Sequence, residues 1–151
     1  IPKRDWSSDV CSSDLMKRGK MSQTKKVVSS EKAPKAIGPY SAGMTLGNMV
    51  YTAGQLPVDA ATGKIVEGGI AAEARQSLTN LKYVLEAAGS GLDYVVKTTC
   101  FLADMGEFAE FNAVYAEFFT GKPPARSTVA VKTLPLNVRV EIEAIAYVPE
   151  N

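Results

Sequence analysis

The segment Val138-Arg-Val-Glu-Ile-Glu-Ala-Ile-Ala-Tyr-Val148 decides the architecture. Val138, Val140, Ile142, Ala144 and Ala146 alternate with Arg139, Glu141 and Glu143. A period of two puts the apolar side chains on one face of a strand and the charged ones on the other. Just upstream, Ala125 to Val131 reads as a further strand, and the Leu134-Pro-Leu-Asn137 loop between the two suggests a closing antiparallel hairpin.

Working outward, Tyr94 to Ala103 is rich in β-branched and apolar residues (Val95, Val96, Thr98, Thr99, Phe101, Leu102), as expected of a largely buried strand. Two helices interleave with these strands. From Ile70 to Ala88, apolar residues recur at spacings of three and four (Ala74, Leu78, Leu81, Val84, Leu85), and Gly89 stands where a helix C-terminus favours glycine. Asp104-Met-Gly-Glu107 resembles a capping box for a second helix, whose aromatic stripe (Phe108, Phe111, Tyr115, Phe118, Phe119) belongs in the core and which stops at Gly121. Near the start, Met44 to Leu46 and Met49 to Ala53 flank Gly47-Asn48, a two-residue hairpin signal. Pro57 to Gly69 reads as a loop.

The order ββαβαββ implies an α+β domain: a mixed sheet with both helices packed on one face. The other face is left bare. Its pattern is not polar enough to be simply solvated, so a symmetric homo-oligomer is expected.

The chain has 151 residues, the length of one domain, and its 46% hydrophobic and 22% charged content is that of a globular protein rather than a disordered one. No apolar run approaches the ~18 residues of a membrane-spanning helix. Residues 1–20, IPKRDWSSDVCSSDLMKRGK, have no apolar period and resemble translated adapter sequence; their interspersed Ser and Asp argue against a secretory or mitochondrial leader. We therefore expect residues 1–20 to be a non-native or disordered extension and 21–151 to be the single domain. From Met21 onward, 12 basic and 13 acidic residues remain, so the formal charge of +1 for the whole chain becomes −1. From position 36 onward there are eight basic and twelve acidic residues, a poor basis for tracking phosphates.

The absence of histidine excludes a Ser-His-Asp triad, a Cys-His pair and a His-ligated zinc site. Cys11 and Cys100 could form one disulfide at most, and the chain reads as a reduced, intracellular protein. Cys100, in an apolar strand with no histidine to activate it, suits a small buried hydrophobe better than a nucleophile. No glycine-rich dinucleotide or phosphate-binding motif is present.

If Val131 pairs with Val138 across the closing hairpin, Thr128 falls opposite Glu141 and Arg126 opposite Glu143, all on one face. An ordinary cross-strand ion pair and a site are both open readings of this trio. Tyr40, after Gly38-Pro39, is either a loop anchor or a site residue. Asn112, between Phe108 and Tyr115, is expected on the inward face of its helix, bonding backbone or ligand.

Ala36-Ile-Gly-Pro-Tyr40, Tyr51-Thr-Ala-Gly-Gln55, Gln76-Ser-Leu-Thr-Asn80, Val96-Lys-Thr-Thr99, Pro124-Ala-Arg-Ser127 and Glu141-Ile-Glu-Ala-Ile145 together resemble the RidA family of reactive-intermediate deaminases. The resemblance runs from about Ser22 to Pro149. It implies a chorismate-mutase-like fold, a cytoplasmic homotrimer with a central barrel, and active sites between subunits. It implies hydrolysis of 2-imino acids such as 2-iminobutanoate and 2-iminopropanoate to 2-oxo acids and ammonia, with neither metal nor organic cofactor; the charge balance and the lack of a long apolar run lead us to expect neither nucleic acid nor membrane as partner. By the same resemblance, Arg126 holds the substrate carboxylate, a task that suits its planar fork. Glu141 positions or activates water. Tyr40, Ala53, Gly54, Asn112 and Thr128 line the cleft, with Gly54 allowing close approach of a ligand. Thr128 stands where many members carry cysteine, and Ala53 where several carry serine. Around this family, an endoribonuclease or translation inhibitor and a holdase chaperone are the competing functions.

Overall fold

A computed structural model describes residues 24–151; the expectations for residues 1–20 and for a start at Met21 lie outside them. The elements are β1 (Lys26–Val28), β2 (Gly43–Leu46), β3 (Met49–Thr52), α1 (Gly69–Ala87), β4 (Val95–Leu102), α2 (Phe108–Phe118), β5 (Ala125–Ala130) and β6 (Val140–Tyr147). The three-residue β1, in the Lys-rich entry, was not anticipated. Gly47 takes φ 60° in the β2–β3 turn, and Gly89 takes φ 80° after α1, each where the sequence placed a glycine for that purpose. The second helix ends at Phe118, short of the expected Gly121. Asp104 accepts from the Gly106 N–H at 2.8 Å, but Glu107 does not close the box, because its carboxylate pairs with Arg139.

The six strands form one mixed sheet in the order β1-β2-β3-β6-β4-β5. Only β4 and β5 are parallel, joined through α2; β3 and β4 run the same way on either side of β6. Both helices cover the same face. Leu78, Leu81 and Leu85 of α1 and Phe111 of α2 are fully buried against Val50, Cys100, Leu102, Val140, Ile142 and Ala146. Burial of such side chains contributes ~1.5–3 kcal/mol each, so this layer carries much of the fold's stability. The opposite face is bare within the chain, as expected, and leaves Val27, Leu46, Tyr51 and Val129 exposed.

The closing hairpin does not form. β5 and β6 are separated by β4, which pairs with both. The connection crosses the end of β4, to which it is tied on both sides: the Val131 N–H donates to the Leu102 carbonyl and the Ala103 N–H to the Arg139 carbonyl, each at 2.9 Å. Buried Leu134 and Val138 hold it down. A loop of this length serves a hairpin or a hop over one strand equally well.

This connectivity overturns the expected register. Arg126 aligns with Thr98 and Thr128 with Cys100, both of which are fully buried on the helix-covered face. Glu141 aligns with Phe101 and Glu143 with Thr99, on the open face. Arg126 and Glu141 therefore lie on opposite faces of the sheet, not on one.

Candidate active site

On the open side, β3 and β6 pair through Tyr51 and Ile145, then resume at Gln55 and Ile142 with hydrogen bonds of 2.8 and 3.2 Å. Three residues, Thr52, Ala53 and Gly54, thus face two, Glu143 and Ala144, an irregularity of the bulge kind. The Ala144 N–H, deprived of a ladder carbonyl, donates to Thr52 Oγ1 at 3.0 Å. This offset slides Gly54 under the Glu141 side chain. A Cβ at position 54 would lie 2.6 Å from Glu141 Cδ and 2.7 Å from its Cγ. A side chain at position 54 would have to displace the Glu141 carboxylate, so glycine here gives that carboxylate its room.

Burial raises the Glu141 pKa above the ordinary carboxylate value, and the like charge of Glu143 two residues away raises it further. A carboxylate of raised basicity is the better proton acceptor. Gly54 also borders a cavity of about 390 Å³ whose lining includes Ile37, Tyr40, Gln55 and Leu136. Tyr40 is 53% exposed, so it does not act as a buried loop anchor. Ala53 is held by its backbone: its N–H donates to the Ala42 carbonyl at 2.8 Å, and its carbonyl accepts from Gln55 Nε2 at 3.2 Å.

Asn80 supports the floor of this cavity. Its fully buried amide donates to the carbonyls of Leu56 (3.0 Å) and Val58 (2.9 Å), and its oxygen accepts from Gln76 Nε2 at 2.9 Å. The Gln76-to-Asn80 motif thus ties α1 to the loop after Gly54. Its spacing of four gave the Gln–Asn contact, but nothing in the sequence gave the loop it reaches.

On the covered side, at the edge strand β5, the Arg126 guanidinium donates to Asn112 Oδ1 at 2.8 Å. It lies 4.5 Å from the Tyr115 ring centroid and 5.6 Å from that of Phe108. The Tyr115 hydroxyl is fixed in turn by Thr98 Oγ1 at 2.7 Å. No carboxylate pairs with Arg126 among the described residues. Its planar fork is positioned by aromatic faces and one amide, leaving further donors for an anion. Asn112 is exposed, not on the inward helix face as expected, and reaches Arg126 from the outside. Tyr115 was read from the sequence as core alone; it is both core and a platform for the guanidinium. The Thr128 hydroxyl lies buried beside the Cys100 thiol. Burial pushes the Cys100 thiol up to about 11, so it is inert at neutral pH, in line with its reading as a small buried hydrophobe.

The candidate residues therefore fall into two groups: Tyr40, Ala53, Gly54 and Glu141 on one side, Arg126, Asn112 and Thr128 on the other. Among the described residues no cluster of His, Cys, Asp and Glu could hold a metal ion, and no helix is long and apolar enough to cross a membrane.

Comparison with known proteins identifies the family. The 2-iminobutanoate/2-iminopropanoate deaminase of Escherichia coli K12 is 52% identical over 124 residues, covering 80% of this chain and 96% of that protein. A RutC family protein of Pyrococcus horikoshii is 52% identical over 123 residues, covering 82% and 98%. The crystal structure of the YjgF gene product of E. coli superimposes with a TM-score of 0.78 at 51% identity, over 81% of this chain and 98% of that one. Residues 30–148 match the family described as Endoribonuclease L-PSP. With the fold, the family match and these relatives in agreement, the chain belongs to the RidA, or endoribonuclease L-PSP, family.

Proposed function

We propose that the protein hydrolyses 2-imino acids to 2-oxo acids and ammonia, in sites assembled between subunits of a homotrimer. The observation that carries this reading is the separation of Arg126 from Glu141. Each side of the sheet offers half of what imine hydrolysis needs. An unpaired, pre-oriented guanidinium would hold a carboxylate through two parallel hydrogen bonds. A carboxylate of raised pKa would take a proton from water. A second copy of the chain, seated on the bare sheet face, brings the two groups together, as in a cyclic assembly with head-to-tail interfaces.

In the proposed reaction, Glu141 removes a proton as the water oxygen bonds to the imine carbon. That proton passes to the nitrogen, giving a carbinolamine; the hydroxyl proton of the carbinolamine then moves through Glu141 to the amino group, the C–N bond breaks as the C=O bond forms, and ammonia leaves with the 2-oxo acid. The imine is already electrophilic, so placement of water and substrate supplies most of the acceleration. Neither a metal nor an organic cofactor enters these steps. Names among the relatives support this chemistry, and the small-molecule substrate needs no basic surface.

The family's description favours a second reading, an endoribonuclease. The excess of acidic over basic residues from position 36 onward weighs against it. One assay separates the two. In a threonine-dehydratase reaction coupled to 2-oxobutanoate detection, the protein should accelerate release of the 2-oxo acid, and Arg126→Ala should abolish the acceleration. RNA cleavage that survives Arg126→Ala, with no effect on the imine, would support the ribonuclease instead.

A further inference from the structure

Leu136 stands at the tip of the Pro135–Asn137 turn with φ 56° and ψ 15°, in the left-handed region, followed by Asn137 with φ 56°. Asparagine tolerates this conformation, whereas leucine is poorly suited to it because its Cβ crowds the carbonyl. The turn is held from outside Leu136: Leu134 and Val138 are buried on either side, and the Asn137 N–H donates to the Leu134 carbonyl at 3.0 Å. The Leu136 side chain contributes little to that core, being 58% exposed. It lines the cavity beside Gly54. Ile37, 83% exposed, lines the same cavity, with Leu56, Val58 and Pro34.

A strained, exposed apolar residue that adds little to folding is explained by what it meets outside the core. We propose that Ile37 and Leu136 form an apolar subsite that receives the side chain of the 2-imino acid, so that the protein favours imines with long apolar side chains over the smallest ones. Gly54 borders this subsite and also lies against the Glu141 side chain, which places the two next to each other. Its volume of about 390 Å³ falls in the ~300–1,000 Å³ range of ligand pockets, ample for a side chain larger than methyl or ethyl. The charged residues around it are engaged elsewhere. Glu31 and Lys35 approach each other at 3.9 Å in solvent, and Asp59 accepts from the Ala61 N–H at 2.8 Å. The inference rests on the imine-hydrolase reading above and specifies the substrate of that site.

The test generates imines in situ with an amino-acid oxidase from alanine, 2-aminobutyrate, methionine and leucine, and follows their decay by trapping. For the intact protein, kcat/KM on the leucine-derived imine should exceed that on the alanine-derived one by about ten-fold. Leu136→Asn and Ile37→Ser should each lower this ratio several-fold while leaving the alanine-derived rate within about two-fold. Leu136→Asn, which suits the backbone, should melt at an equal or higher temperature. Hydrolysis with an unchanged ratio in both variants overturns the subsite alone, as does a Leu136→Asn protein that loses stability. Failure of the intact protein to hydrolyse any imine in the panel overturns the functional reading and the subsite together.

Discussion

The two faces of the sheet at the candidate site are built on different principles. Around Arg126, side chains do the positioning: Asn112 accepts from the guanidinium, Tyr115 and Phe108 present their rings, and Thr98 fixes Tyr115. Around Glu141, the backbone does it, through the offset between β3 and β6 and the missing Cβ of Gly54. The covered face can afford polar side chains because α2 packs over them; the open face has no second layer within the chain. A residue there is held by its own strand or by a neighbouring subunit.

Substitutions should separate the two principles. Arg126→Ala and Glu141→Ala should each reduce kcat/KM for imine hydrolysis by about 10²–10⁴-fold, measured in the coupled dehydratase assay, while both proteins retain the native circular dichroism spectrum. Gly54→Ala should cost about 100-fold in kcat because the added Cβ displaces the Glu141 side chain. A wild-type kcat in that variant would show that the carboxylate can move without penalty. On the other face, Tyr115→Leu should raise KM about ten-fold with kcat largely spared, whereas Tyr115→Phe, which keeps the ring, should stay within about two-fold. Equal losses in both variants would assign the effect to the hydroxyl and its bond to Thr98.

Protonation offers a gentler comparison. Activity that needs ionised Glu141 rises with pH through its raised pKa. Glu143→Gln removes a like charge, so the acid limb of the kcat/KM profile should move to lower pH. Folding favours protonated Glu141: that contribution is complete below the ordinary carboxylate pKa and fades as pH rises through the raised one. Glu141→Gln, neutral at every pH, should therefore melt about 1–3 °C higher than the intact protein at pH 8 while remaining inactive.

Apart from the three-residue β1, too short to show a period, the elements were legible in the sequence, most clearly from a period of two in Val140 to Tyr147 and of 3.6 in Ile70 to Ala87. The covering of one face followed from the order of strands and helices. Adjacency did not. Val131 to Arg139 has no feature that distinguishes a hairpin from a hop over β4, and that one ambiguity moved Arg126 and Thr128 to the opposite face from Glu141. Residue identity carried the candidate site further than geometry could: Arg126, Glu141 and Gly54 were singled out by resemblance, but the contact between Gly54 and Glu141 depends on an irregular register that no periodicity encodes. Leu136 was invisible for a related reason. Leucine is among the last residues that a left-handed backbone would suggest.

Mixing two inactive proteins tests the assembly most directly. Arg126→Ala and Glu141→Gln subunits, co-refolded in equal amounts, should regain about a quarter of wild-type activity, because a quarter of the sites formed between subunits then carry both intact groups. Activity no higher than that of either variant alone, in co-refolded oligomers shown to contain both, would contradict a site shared between two copies of the chain.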